Sequence, residues 1–141
     1  MRPRRRWLGA VALVAVGLLG SVGFADAANL VQNGDFTKGS GGTPSDWRID
    51  RWDTNAGVTE FLWKGPAGSE PGQAGIRNTK PNDARFVQDV HVKEETWYRI
   101  AGKIRTENVG QASIGAYLSL MEGFQNSQDI KGSMAEWQPV E

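Results

Sequence analysis

Aromatic side chains interleaved with charged and amide side chains are the residues of this sequence that could bind a ligand. A sugar ring presents an apolar C–H face and a rim of hydroxyls, so its site combines an exposed aromatic surface with groups that donate and accept hydrogen bonds. After residue 27 the chain still contains five tryptophans and two tyrosines, more than we expect its core to need. The candidate ligand-binding residues are Trp52, Trp63 and Tyr117 as aromatic surfaces and Asp50, Arg85 and Gln88 as hydrogen-bonding groups.

Each candidate also has an ordinary structural interpretation. Trp and Tyr are buried more often than not, so Trp52, Trp63 and Tyr117 could instead pack beneath loops. The polar candidates could lie on a solvated strand surface or form cross-strand ion pairs, which contribute only about a few tenths of a kcal/mol. Trp47 and Trp137 each begin an alternating strand, and we expect both to be core residues.

Catalytic and metal-binding motifs have little support in the sequence. His91 is the single histidine and has no GxSxG context, so a Ser-His-Asp mechanism lacks identifiable partners. Glu94 and Glu95 are adjacent, and their side chains should diverge instead of facing one glycosidic bond at about 5 to 9.5 Å. The stretch DRWDTN lacks the alternating oxygen ligands and central glycine of a calcium loop. We therefore expect a non-enzymatic protein, and a small secreted glycosidase is the less favoured alternative.

The first 27 residues have the organisation of an export signal. MRPRRRW is a basic start, residues 8–24 are apolar, and the ADA at 25–27 gives a small-x-small pattern with cleavage before Ala28. The apolar run is shorter than the roughly 20 residues that span a bilayer, which favours secretion over an uncleaved anchor. RRRWL permits either the general secretory or the twin-arginine route. We expect a secreted protein, extracellular or periplasmic.

Removing this leader changes the charge of the chain. It takes away four of the 16 basic residues and one of the 16 acidic ones, which leaves a net charge of −3 on residues 28–141. This balance gives no electrostatic footprint for nucleic acid, and no basic run remains to bind an anionic membrane. The absence of cysteine excludes disulfides and thiolate metal sites, so the core alone must stabilise the fold.

Period-2 alternation between turns predicts one all-β domain over residues 28–141. The 18 glycines and 6 prolines suit short strands joined by many turns. Seven or so such strands indicate a two-sheet β-sandwich, with one face of each sheet in the core. The predicted strands lie near residues 28–32, 47–52, 58–63, 76, 84–92, 96–109 and 112–122, with a last one from residue 137.

The segment at residues 96–109 separates apolar from cationic side chains by parity, and we expect it to form a hairpin-like pair with residues 84–92. The cationic row could pair with acidic neighbours, or it could line a groove with Tyr117 that would suit acidic sugars. The residues expected to face the core are Tyr98, Ile100, Gly102 and Ile104, and those expected outside are Arg99, Lys103 and Arg105.

Several elements, in this order, resemble a known family. NLVQNGDF at 29–36, the Trp at 47, NDARFVQDVHV at 82–92, WYRIAGKIRTENV at 97–109 and LSL at 118–120 are similar to the CenC-type carbohydrate-binding modules. The resemblance implies a jelly-roll sandwich of the galactose-binding-like type. It also implies non-catalytic binding of a polysaccharide or oligosaccharide, which brings a host protein to the glycan. The alternative is a structural or protein-interaction domain of the same fold without a sugar site.

Two departures from the family pattern affect what the resemblance implies. Family members usually place an acidic residue after the GDF element, and some hold a structural calcium with this region and a late Asp, whereas this chain has Thr37. We therefore expect no cofactor, and structural calcium is the alternative. The family pattern also continues for one or two strands beyond Glu141, so the sandwich is expected to lack its last strands. The resulting open sheet edge could take a partner strand.

Overall fold

A computed structural model describes residues 28–121 and 125–141 and the backbone of residues 9–13. The described residues form strands, turns and bends and no helix, so none of them belongs to a helix that could cross a membrane. The prediction of an all-β protein is confirmed. The strands are β1 (Gly9–Leu13), β2 (Gly39–Ser40), β3 (Thr43–Pro44), β4 (Arg48–Arg51), β5 (Thr59–Lys64), β6 (Gln73–Asn78), β7 (Ala84–Val87), β8 (Gly102–Glu107), β9 (Ser119–Leu120), β10 (Gln125–Asn126) and β11 (Gln138–Val140).

The largest sheet has five antiparallel strands in the order β11-β8-β1-β6-β5. β5 and β6 pair along their full length, from Thr59 opposite Asn78 to Lys64 opposite Gln73. β1 lies between β6 and β8, and it falls within the segment that the sequence predicts to be an export signal. This pairing therefore describes the chain before any such processing. The remaining strands pair as three antiparallel ladders, β2-β3, β4-β7 and β9-β10.

The core is built around Phe36, which is 1% exposed, and Ala74 on β6. Trp47 and Trp137 pack against this pair, as predicted, and the ring centroids of Phe36 and Trp47 are 5.5 Å apart. A Cβ atom at Gly72 would overlap the backbone carbonyl of Phe36. Only glycine therefore lets the start of β6 approach Phe36 this closely.

The alternation in β8 follows the predicted parity, but the strand is shorter than predicted. Ile104 is buried and Lys103 is exposed, as expected. Residues 88–101, however, form no strand, and Tyr98 and Ile100 are each 40% exposed. The predicted pair between residues 84–92 and 96–109 is wrong, because β7 pairs with β4 while β8 pairs with β1 and β11. Alternation defines the faces of a strand and carries no information about its partner.

The long strand predicted at residues 112–122 is also wrong. Only β9 is a strand here, together with an isolated bridge between Ala116 and Ile130. Ile114, an apolar residue within this range, is 77% exposed. A Cβ at Gly115 would lie 2.5 Å from the Ile130 carbonyl oxygen, so the two backbones touch at this point. The segment therefore makes short contacts on either side of the bridge in place of a continuous ladder.

Candidate functional site

Two of the sequence candidates, Asp50 and Arg85, are direct neighbours across the β4-β7 ladder. Arg85 Nε lies 3.4 Å from Asp50 Oδ2, and Arg85 Nη2 donates a hydrogen bond of 2.8 Å to Asp83 Oδ2. Directly opposed residues of an antiparallel pair project from the same side of the sheet. The carboxylate and the guanidinium therefore form one polar group of side chains.

Trp52 follows this ladder by one residue. Its backbone N–H donates to the Asp83 carbonyl at 2.9 Å, so the pairing continues past the end of β4. Trp52 itself stands at a bend, two residues along the chain from Asp50. It is 87% exposed, which makes it an open aromatic surface close in sequence to the ion pair.

The other end of the same side is also charged. Arg48 and Asp89 pair at 2.7 Å between Nη2 and Oδ2, and both side chains are largely exposed. Exposed ion pairs of this kind contribute about 0 to 1 kcal/mol, so a ligand can compete with them for hydrogen bonds at little cost. We use the term β4-β7 face for the residues Arg48, Asp50, Trp52, Asp83, Arg85 and Asp89.

The opposite side of the ladder anchors it to the main sheet. The rings of Phe86 on β7 and Phe61 on β5 meet edge to face, with centroids 5.3 Å apart. The Arg51 guanidinium lies 5.8 Å from the centre of the Phe61 ring. Phe86 also packs against the core cluster. Phe86 thus ties the ladder to the main sheet, whereas Ile49 on the same side is 45% exposed. The charged residues of the β4-β7 face lie on the other side.

An asparagine network fixes the backbone immediately after Trp52. The Asp53 N–H donates to Asn82 Oδ1 at 2.8 Å, and Asn82 Nδ2 donates to the Asp53 carbonyl at 3.1 Å and to Thr59 Oγ1 at 2.7 Å. Thr59 Oγ1 in turn donates to Asn78 Oδ1 at 2.6 Å. The sequence alone did not predict this role for NTKPND at residues 78–83. The two asparagines flanking its proline were the available signal.

No family model, no curated protein and no solved structure matches this chain. The chemistry of the described residues must therefore support any assignment of function, and the β4-β7 face is where the candidate residues converge.

Trp63, a second aromatic candidate, lies in the core and not on this face. Its indole N–H donates to the Phe36 carbonyl at 2.8 Å, and its ring packs against the Phe36 cluster. A Cβ at Gly39 would lie 2.6 Å from the same ring. The indole N–H of Trp63 and part of its ring are therefore engaged in the core, and Trp63 does not belong to the β4-β7 face.

Gln88 is also removed from the candidate site, because its amide ties two backbone segments together. Gln88 Nε2 donates to the carbonyls of Gln32 and Asp46, each at 2.9 Å, and Gln88 Oε1 accepts from the Gln32 N–H at 2.7 Å. Both ends of the amide are thus engaged in structure. A ligand would have to break these bonds to use Gln88.

Within the described residues, the segment that carries Tyr117 does not pair with the strand that carries Lys103 and Arg105. Tyr117 is 37% exposed and follows Ala116, whose segment shares no ladder with β4 or β7 within the described residues. Arg99 pairs with Glu141, with 2.9 Å between Nε and Oε2, and the Arg105 guanidinium lies 4.9 Å from the Trp137 ring centre. Arg99 therefore pairs with an acidic residue, which is the first of the two interpretations given for the cationic row. Arg105 instead contacts an aromatic ring.

The acidic residues outside the β4-β7 face include two, Asp35 and Asp129, that make local hydrogen bonds. Within the described ranges, no group of three or more His, Cys, Asp or Glu side chains is arranged to hold a metal ion. Asp35 Oδ1 accepts from the Thr37 hydroxyl at 3.1 Å and from its N–H at 3.3 Å, so this carboxylate closes a local turn. Elsewhere, the hydrogen bond from Lys131 lowers the pKa of Asp129, with help from the Gly115 N–H.

Proposed function

We propose that this chain is an exported, non-catalytic carbohydrate-binding β-sandwich of the jelly-roll type, which binds a polysaccharide or oligosaccharide on the β4-β7 face. The observation that carries the proposal is Trp52, 87% exposed and two residues along the chain from Asp50, which pairs with Arg85. The five-stranded antiparallel sheet and the core against its inner face support the sandwich architecture.

The chemistry of the face suits a sugar ring. The Trp52 indole offers a broad apolar surface against which the C–H face of a pyranose can stack. The Asp50 carboxylate accepts hydrogen bonds from hydroxyls, and the Arg85 guanidinium donates them. Hydrogen bonds to charged groups are stronger than those between neutral groups, so a few of them can orient the ring.

The charge of the face favours neutral glycans over uronates. Three carboxylates and two guanidiniums give it a net negative charge. Like charges brought together at an interface disfavour binding. Affinity should be modest, because an open and solvated site loses much of its contact energy to desolvation. A host protein carrying the module gains from it through effective concentration.

Affinity electrophoresis tests the proposal. The chain is run through gels containing β-glucan, xylan, galactan or a uronate polymer, together with Trp52→Ala and Trp97→Ala. Trp97 is the matched control, because it is 100% exposed but lies in the unpaired segment 88–101. We expect a neutral glycan to retard the wild type and Trp97→Ala but not Trp52→Ala, with all three unfolding cooperatively at similar midpoints.

A second candidate function is an interaction domain without a sugar site. Fully exposed Trp97 and 62% exposed Val92 favour it, because both lie in a segment of 14 residues without strand pairing. A folded wild type that no glycan retards would support this second function. Retardation that persists in Trp52→Ala would place any sugar site away from the β4-β7 face. A loss of cooperative unfolding in Trp52→Ala would show that this indole is needed for packing.

A further inference from the structure

The largest sheet depends on β1 for its continuity. In the order β11-β8-β1-β6-β5, the pairing of the described residues joins the β11-β8 half to the β6-β5 half only through β1. Without it, the inner edges of β6 and β8 would expose a row of backbone N–H and C=O groups, which is a template for another strand. Cleavage before Ala28, as the sequence predicts, would remove β1 with the leader. We call the position between β6 and β8 the β6-β8 slot.

The register shows what the buried side of the slot accepts. Position 12 of β1 lies opposite Ile104, and position 10 lies opposite Thr106. Both Ile104 and Thr106 are only 1% exposed, so a strand in the slot must carry small or apolar residues at these positions. Thr106 Oγ1 is buried and has no hydrogen-bond partner among the described residues. A serine or threonine opposite Thr106 would supply that partner, and position 10 is alanine.

The outer side of the slot has the opposite requirement. Positions 11 and 13 lie opposite Arg105 and Lys103. Opposite charges facing each other across an antiparallel pair are favourable, by about 0.2 to 1 kcal/mol. The leader has Val11 and Leu13 at these two positions and therefore provides no such pair. A strand that alternates apolar or hydroxyl residues with acidic ones would match both sides of the slot better than the leader does.

We propose that the β6-β8 slot is a strand-accepting site for an extended acidic and apolar segment of a partner polypeptide. The leader strand occupies the slot until it is removed, and the partner strand then pairs antiparallel to both β6 and β8. Main-chain hydrogen bonds supply the affinity, and the alternating side chains supply the specificity. This site is distinct from the β4-β7 face and does not depend on sugar binding.

Cysteine pairs in the full chain test the seating of β1. The chain has no cysteine, so an introduced pair reports only on its own proximity. Val11→Cys with Arg105→Cys joins directly opposed positions, whereas Val11→Cys with Ile104→Cys joins positions on opposite sides of the sheet. We expect a disulfide in the first pair only. Equal crosslinking in both, or none in the first, would overturn the proposal.

Peptide binding tests whether the β6-β8 slot accepts a strand from outside the chain. Ala12→Pro in the full chain should vacate the slot, since proline cannot donate to a ladder within a sheet, and Val92→Pro in the unpaired segment is the control. Two synthetic peptides of identical composition are added. One places threonine opposite Thr106, valine opposite Ile104 and aspartates opposite Lys103 and Arg105. In the other the same residues are reordered so that the two aspartates are adjacent, and one of them then faces the buried side in every register.

Hydrogen exchange of the β6 and β8 amides gives the readout. In Ala12→Pro, and not in Val92→Pro, we expect the matched peptide to slow their exchange at least tenfold and the reordered peptide to have no effect. If Ala12→Pro does not fold, the matched peptide alone should restore cooperative unfolding. Equal effects of both peptides, or none from either, would overturn the proposal. Concentration-dependent dimers that protect these amides without peptide would overturn it in favour of a second copy of the chain.

Discussion

Replacement of Asn82 by alanine should destabilise the fold by about 2 kcal/mol. The side chain accepts one hydrogen bond from Asp53 and donates one each to Asp53 and Thr59, over 2.7 to 3.1 Å. A hydrogen bond contributes about 0.5 to 1.5 kcal/mol net, and these are only partly buried, so about 0.7 kcal/mol each is appropriate. For a domain of this size, about 2 kcal/mol corresponds to a Tm lower by roughly 6 to 10 °C. Thermal unfolding followed by circular dichroism measures it.

The matched control is Asn126→Ala. Asn126 is exposed, and its backbone pairs with Ser119 in the β9-β10 ladder. A surface change of this kind should stay within about 0.5 kcal/mol of the wild type. Asn82→Ala should also weaken retardation by glycan, because the backbone after Trp52 loses its anchor. Equal Tm values for the two variants would refute the reasoning that the Asn82 network holds this loop.

Three further changes give separate tests. Gly72→Ala should abolish cooperative unfolding in circular dichroism, because the added Cβ would overlap the Phe36 carbonyl, and a normal melting curve would contradict this. Gln88→Ala removes three hydrogen bonds that hold the segment around Gln32, so limited proteolysis should cut the first residues after Ala28 faster. An unchanged digestion rate would contradict the role of Gln88 in holding this segment. The hydrogen bond from Lys131 lowers the pKa of Asp129 in the folded state. The charged form of Asp129 therefore contributes stability at pH values above its unfolded pKa, and this contribution is lost as the pH falls through the folded pKa. The Tm difference between wild type and Asp129→Asn should therefore be largest near pH 7 and shrink below about pH 4, and a difference independent of pH would contradict the assignment.

The sequence predicted which side chains are buried better than it predicted which strands pair. Trp47 and Trp137 were assigned to the core from their places at the start of alternating strands, and both pack there. Ile104 was assigned inward by parity and is buried. Burial follows from the local period where a strand forms, whereas Tyr98 and Ile100, which precede β8, are each 40% exposed. The partner of β8 does not follow from the local period, because its two neighbours come from residues 9–13 and 138–140, at opposite ends of the chain.

The same limit applies to the candidate ligand-binding residues. Asp50 and Arg85 were chosen as polar residues on strands, and the β4-β7 register places them side by side. Trp52 was chosen as an aromatic surface and is 87% exposed. The hydrogen bonds of Gln88 and Asn82 could not be predicted, because the partners of an amide side chain are backbone groups brought close only by folding. The indole N–H of Trp63 likewise donates to a backbone group, the Phe36 carbonyl.

The position of β1 also affects the order in which the chain can fold. β5 and β6 are close in sequence, so their hairpin can form early and at a small entropic cost of loop closure. β1 is made first, yet it cannot complete its pairing until β8 has been synthesised, and contacts so distant in sequence form slowly. Nascent residues 9–13 therefore stay free of the finished sheet while most of the chain is being made. During that interval they are accessible to any machinery that recognises an extended apolar segment. The strand order of the sheet thus delays the pairing of β1.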